Sequence, residues 1–184
     1  ALCFLRIVSE ESLIVSLPGI LKNKTQNPIS KKQMMIRNLI NAGLELSFLF
    51  EIKDGPSLSW GILNYDGSPK PRYQALKLLN SLEGNQLMVD GEGTNVSAIA
   101  SKTEEKIVLI LTNYDELGRN HEAVPVIFKN LDGASYSLTK KYLDGRSEKS
   151  LNLQPIDGEI RLEAEKGIIM QANTIVAIEL EKTQ

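Results

Sequence analysis

The chain has 184 residues, 42% of them hydrophobic, with 21 Lys and Arg against 23 Asp and Glu for a net charge of −2. That hydrophobic share is enough for one ordinary core or two small ones and lies far above the disordered range; the scattered basic residues make no nucleic-acid patch. A single cysteine, Cys3, excludes an internal disulfide and a cysteine-rich metal site, and a single histidine, His121, excludes a His-rich zinc site.

The first segment, "ALCFLRIVSEESLIVSLPGIL", is apolar but broken by Arg6, Glu10 and Glu11. No run approaches the ~18 residues of a membrane-spanning helix. It also lacks the basic start and small-residue cleavage site of a signal peptide, so it reads as structure. "LCFLRIVS" is expected to be a short buried strand. After the polar turn "LKNKTQNP", Ser30 can cap a helix from about Lys31 to Ala42, with Met35, Leu39 and Ile40 on one face. Gly43 stands where a left-handed cap would end it. "LELSFLFEI" follows as a continuous apolar strand of the kind buried on both faces. Asp54-Gly55-Pro56 is a loop signal, and in "NYDGSPKP" Asp66-Gly67 and Pro69 set turn angles. Pro71 suits the first helical position, where its missing N–H would be unpaired in any case. Tyr73, Leu76, Leu79 and Leu82 then form an apolar stripe, and Gly84 closes the helix. Residues 1–84 therefore read as strand, helix, strand, helix.

After Gly84 the apolar period changes to two. "QLMV", "NVSAIAS", "KIVLILTNY", "AVPVIFK", "ASYSLTKKYL", "EIRLEA", "GIIM" and "TIVAIEL" are short candidate strands. They are separated by "DGEGT", "KTEE", "DELGRN", "NLDG", "DGRSEKS" and "EAEKG" as turns. That spacing predicts an antiparallel sandwich or barrel. "KIVLILTNY" is apolar on both alternations, so it is expected at the centre of its sheet. "DGEGT" and "DGRSEKS" lack the acidic ladder of a calcium loop, and no cofactor or metal is expected.

The stretch "LSFLFEIKDGPSLSWGILNYDGSPKPRYQALKLLNSLEG" resembles the last strand and last helix of the (β/α)8 barrel in retaining glycoside hydrolases of the xylosidase/iduronidase and cellulase-like groups. Gly61, Leu63, Asp66, Gly67, Pro69, Lys70, Pro71, Tyr73, Ala75 and Leu76 carry the likeness. The resemblance implies an α/β plus all-β chain. Residues 1–84 would be the last two β/α units of a barrel, and 85–184 an accessory antiparallel β-sandwich. It implies hydrolysis of glycosidic bonds with retention and without a cofactor. One carboxylate attacks the anomeric carbon and a second protonates the leaving oxygen. The nucleophile position of the family falls on Glu11 or Glu10, which otherwise read as exposed carboxylates in a loop. The acid/base residue follows Asn in the family; with no Asn-Glu pair here, it is expected outside this chain. Glu51 and Asp54 fall at a strand end where a barrel displays its site; a pleat-alternating Glu and a turn Asp are the alternative. Trp60 is either a platform for a sugar ring or a pin for its own loop. Tyr65 and Tyr73 are expected to pack, with their hydroxyls at the surface. The implied partners are a carbohydrate substrate and the rest of the barrel or a second copy of the chain, with no nucleic acid and no membrane. Family analogy implies a secreted or periplasmic setting. The alternative from another class is a non-catalytic β-sandwich module that binds carbohydrate or braces a partner.

Overall fold

The computed structural model describes residues 14–16, 51–57, 60–91, 95–115, 117–162 and 168–183. Among them are eleven strands and one helix. In chain order these are β1 (Ile14–Ser16), α1 (Pro71–Leu79), β2 (Asn85–Asp90), β3 (Val96–Lys102), β4 (Lys106–Asn113), β5 (Glu122–Val124), β6 (Val126–Phe128), β7 (Ser135–Tyr142), β8 (Ser147–Leu153), β9 (Ile160–Leu162), β10 (Ile168–Met170) and β11 (Thr174–Thr183).

Nine strands run in the order β8-β7-β11-β4-β3-β2-β1-β6-β9, and β10 pairs with β5. The pairings are antiparallel except that of β1 with β2. The sheet folds over at β2. Its first half, Asn85–Leu87, pairs with β3, and its second half, Met88–Asp90, pairs with β1. Pro125 makes a second crossing. It cannot donate to a ladder, so "AVPVIFK" splits: β5 goes to β10 while β6 goes to β1 and β9.

The two alternations of β4 go to two different cores. Ile107, Leu109 and Leu111 point into the main core with Phe128, Met170 and Ile178. Val108 and Ile110 point the other way and meet Leu78, Leu79 and Leu82 of the helical segment, with Ile175 and Ala177 of β11. A strand covered on both faces should run apolar without alternation, and β4 does so from Ile107 to Leu111. The central place expected for it holds, since β3 and β11 flank it.

The end of a (β/α)8 barrel is not what the described residues build. One strand precedes α1 among them, and it is hydrogen-bonded into the β-rich fold beside β2 and β6. The described fold is mostly antiparallel sheet with a single short helix, a sandwich-like arrangement. The sequence reading failed here because strand pairing is fixed by segments distant in sequence: β1 pairs with β2 and β6, about seventy and more than a hundred residues on. Local pattern does not name the partner. The expected helix over 31–42 and strand "LCFLRIVS" lie outside the described residues, as does all but the end of "LELSFLFEI".

α1 begins at Pro71 as expected, but it ends at Leu79 rather than near Gly84. Ser81 N–H then bonds the Leu78 carbonyl and Leu82 N–H the Leu79 carbonyl, so the last turn tightens to i→i+3 spacing. Gly84 sits at φ +75, and a Cβ there would lie 2.1 Å from the Lys102 carbonyl oxygen. Only glycine fits that turn. The stripe is also rotated: Ala75, Leu78, Leu79 and Leu82 are buried, while Tyr73 and Leu76 are half-buried. Segment "DGRSEKS", read as a turn, contains the start of β8. This edge strand is exposed nearly throughout, so it has no apolar alternation to read.

Candidate functional site

The stretch between residues 51 and 70, just ahead of α1, is a small backbone-paired unit. Leu63 bridges Lys53 in parallel and Pro69 in antiparallel fashion. Ile62 N–H donates to the Glu51 carbonyl at 3.2 Å, Leu63 N–H to Ile52 at 2.9 Å, and Lys70 N–H to Ile62 at 3.1 Å. The turn at its tip is set by Asp66, whose Oδ1 accepts from Ser68 N–H at 2.8 Å and from Ser68 Oγ at 2.6 Å. Gly67 takes φ +89, as an Asp-Gly turn requires. These Ser68 bonds hold the Asp66 carboxyl below its ordinary value, the hydroxyl first.

Asp54 clasps the unit together. Its Oδ1 accepts from Gly61 N–H at 2.7 Å and from Lys70 Nζ at 2.7 Å, and its Oδ2 lies 2.6 Å from the same ammonium. The Lys70 bond is the main cause that lowers the Asp54 pKa. Gly61 is what permits the clasp: a Cβ there would stand 2.5 Å from the Asp54 nitrogen and 2.8 Å from Oδ1. Arg72 of α1 adds a strap, its Nη1 donating to the Trp60 carbonyl at 2.6 Å. The backbone of Trp60 is thus held from both sides while its side chain faces water; the residue is 63% exposed. That is not the packing of a ring that pins its own loop.

Of the residues expected at the site, Glu51, Asp54 and Trp60 fall together in this unit. Glu10 and Glu11 lie outside the described residues. Glu51 is half-buried, and its Oε1 is buried without a hydrogen-bond donor among the described residues. A carboxylate oxygen so placed is costly until a donor reaches it. Tyr65 is exposed at the tip, not packed, with Lys53 Nζ 5.6 Å from its ring centroid. The sequence reading missed Lys70 and Arg72 as the partners that fix the site. Lys70 between two prolines read as part of the family-like motif; its pairing with Asp54 across sixteen positions leaves no periodic trace. Among the described residues no group of three or more His, Cys, Asp or Glu could hold a metal ion, and no helix is long and apolar enough to cross a membrane.

No protein-family model matches the chain. A Beta-xylosidase of Caldicellulosiruptor saccharolyticus is 33% identical over 58 residues. The match takes in 30% of this chain and 12% of that protein. The similarity is partial and weak; it points towards glycoside hydrolases and to nothing finer.

Proposed function

We propose that this chain is part of a glycoside hydrolase and that its 51–70 unit presents Trp60 to a carbohydrate chain. The observation that carries the reading is the exposed indole on a backbone clasped by Asp54–Lys70 and Arg72. A pyranose offers C–H groups on one face, and an aromatic ring already held in place can cover them with little loss of freedom on binding. Glu51 Oε1 would accept a sugar hydroxyl, which supplies the donor it lacks. Asp54 acts beside it as a positioning residue. The partial likeness to a β-xylosidase favours xylose-containing β-linked chains. In the finer form of the proposal, hydrolysis proceeds with retention: Glu10 or Glu11 attacks the anomeric carbon, and a second carboxylate from outside this chain protonates the leaving oxygen.

A second reading is a non-catalytic carbohydrate-binding β module, favoured by the eleven strands and single short helix among the described residues. Trp60 is the only tryptophan, so one titration tests what both readings share. Xylobiose and xylotriose should change the intrinsic fluorescence saturably, and the amide shifts they cause within the 51–70 unit should be lost in Trp60→Ala. Fluorescence unmoved by either sugar would overturn the role of Trp60. This chain by itself is expected to be inactive, so the assay uses the longer protein that carries it: turnover of an aryl β-xyloside that disappears in Glu10→Gln or Glu11→Gln would support the hydrolase over the binding module. Turnover unchanged in both variants would remove the nucleophile assignment.

A further inference from the structure

A cavity of about 440 Å³ opens at one end of the sheet fold, lined by no residue of the 51–70 unit. That size falls in the ~300–1,000 Å³ range of small-molecule sites. Its walls are the β3–β4 turn, the loop 130–132 that follows β6, and the ends of β7 and β11. Ile107, Leu131 and Leu180 of the main core also line it, among the charged side chains.

The rim is densely charged yet balanced. Lys102, Lys106 and Lys182 stand against Glu104, Glu105 and Asp132. Asp132 is fixed by three donors: Tyr136 Oη at 2.6 Å, Ala134 N–H at 3.2 Å, and Lys182 Nζ 2.7 Å from Oδ2. Its carboxyl is pulled down to about 2, chiefly by the Lys182 bond, so it is an acceptor at any ordinary pH. Lys182 in turn feels Glu104 and Glu105 as well as Asp132. The β3–β4 turn that carries the two glutamates is itself rigid: Thr103 N–H bonds the Lys106 carbonyl at 2.8 Å, and Lys182 N–H bonds the Glu105 carbonyl at 2.9 Å.

The geometry points to this cavity as a second binding site, one that takes a neutral polyhydroxylated ligand such as the end of a short saccharide. A hydroxyl both donates and accepts. It can give a hydrogen bond to Asp132 or Glu105 and take one from a lysine ammonium in the same pose. An anion would meet three carboxylates, and a cation three ammoniums. A neutral polyol meets no like charge and can lay its C–H face towards Ile107 and Leu131. This site would bind independently of Trp60, and its occupancy would leave the indole emission unchanged.

The test is a titration of the whole chain, labelled with ¹⁵N and followed by heteronuclear NMR. The probes are xylobiose and cellobiose, with glucuronate and glucosamine as the charged controls. Saturable shifts at the Thr103, Glu105 and Asp132 amides are expected with the neutral sugars, persisting in Trp60→Phe. Asp132→Asn should weaken them about tenfold, the usual effect of losing a charged acceptor. If Asp132→Asn fails to fold, Glu104→Gln, at the exposed rim, should weaken them less but measurably. Neutral sugars that move only amides of the 51–70 unit would overturn the second site and leave the Trp60 reading standing. Shifts at the cavity with glucuronate or glucosamine alone would overturn the neutral ligand. No shift at the cavity with any probe would overturn the site itself.

Discussion

Truncating the two inward leucines of α1 tests whether the helix is held by the sheet or merely lies beside it. Leu78 and Leu79 are 8% and 6% exposed, and they rest on Val108 and Ile110 of β4 and on Ile175 and Ala177 of β11. Leu→Ala removes about three carbon groups at ~0.8 kcal/mol each, or ~2.4 kcal/mol of transfer free energy. A cavity term adds to it, and Leu→Ala in cores spans ~2–5 kcal/mol. The helix has solvent on its far side and can settle towards the sheet, so each substitution should cost ~2–3 kcal/mol. Leu76 is half-buried at the margin of the same cluster, and Leu76→Ala should cost ~1 kcal/mol. Urea unfolding followed by circular dichroism reads this as a fall in midpoint with the m-value unchanged. Equal midpoints for Leu79→Ala and wild type would mean that the stripe does not bear on the sheet. A lower m-value with a retained midpoint would mean that the helix unfolds separately from the strands.

Three further outcomes follow from other contacts. Gly61→Ala should force the Asp54 backbone away from the clasp, at an overpacking cost of ~1–3 kcal/mol; earlier proteolysis within 51–70 and a shifted Trp60 emission would report it, and an unchanged digest would refute it. Glu179, buried on β11 with Lys141 Nζ at 2.7 Å and Lys106 Nζ at 3.4 Å, should lose ~1–3 kcal/mol as Glu179→Gln, less than a fully buried pair because both lysines can reach water; thermal melts at low and high salt check it. In acid, Asp132 has its carboxyl at about 2 against an ordinary 3.8, and Asp54, Asp66, Asp115 and Asp144 are also lowered. A depressed folded value adds stability that is complete above the ordinary carboxylate range and is lost as pH falls through the folded value. Melting temperature should therefore hold from neutral down to about pH 4 and drop between about 4 and 2, with a shallower drop in Asp132→Asn.

Much of the strand order along the chain was legible because each apolar run has its own turn chemistry beside it. All eight candidate strands after Gly84 recur, and "AVPVIFK" is split where Pro125 demands it. What stayed hidden depends on contacts distant in sequence. β8 has no buried face, so its only signature is its pairing with β7. The pairing of β1 is set by β2, some seventy residues on, and by β6, more than a hundred residues on, and β1 falls outside the strand expected over "LCFLRIVS". The phase of α1 was off by part of a turn. The sequence offers Tyr73, Leu76 and Leu78 as rival apolar positions, and only the shape of the β4–β11 surface chooses among them. At the candidate site, Trp60, Glu51 and Asp54 stood out by type and place, but the exposure of the indole and the Asp54–Lys70 pair did not.

These hidden contacts form one mechanical chain. Trp60 is held by Arg72, and Asp54 by Lys70; those two cations sit at the start of α1. The helix is seated by its Leu78 and Leu79, with Leu82 just beyond it, on β4 and β11, the strands buried on both faces. A loop ring is useful for binding only when its backbone does not have to be ordered at the moment of contact. Here the ordering is done in folding, by burial at one end of a nine-residue helix and by ion pairing at the other. Loss of a helix leucine should therefore loosen the ring as well as the fold. In Leu79→Ala the Trp60 emission should become more mobile, with lower anisotropy, below the temperature at which the sheet melts. Anisotropy unchanged until the global transition would mean that the 51–70 unit keeps its shape without the helix, and that the clasp of Asp54, Gly61 and Lys70 is sufficient by itself.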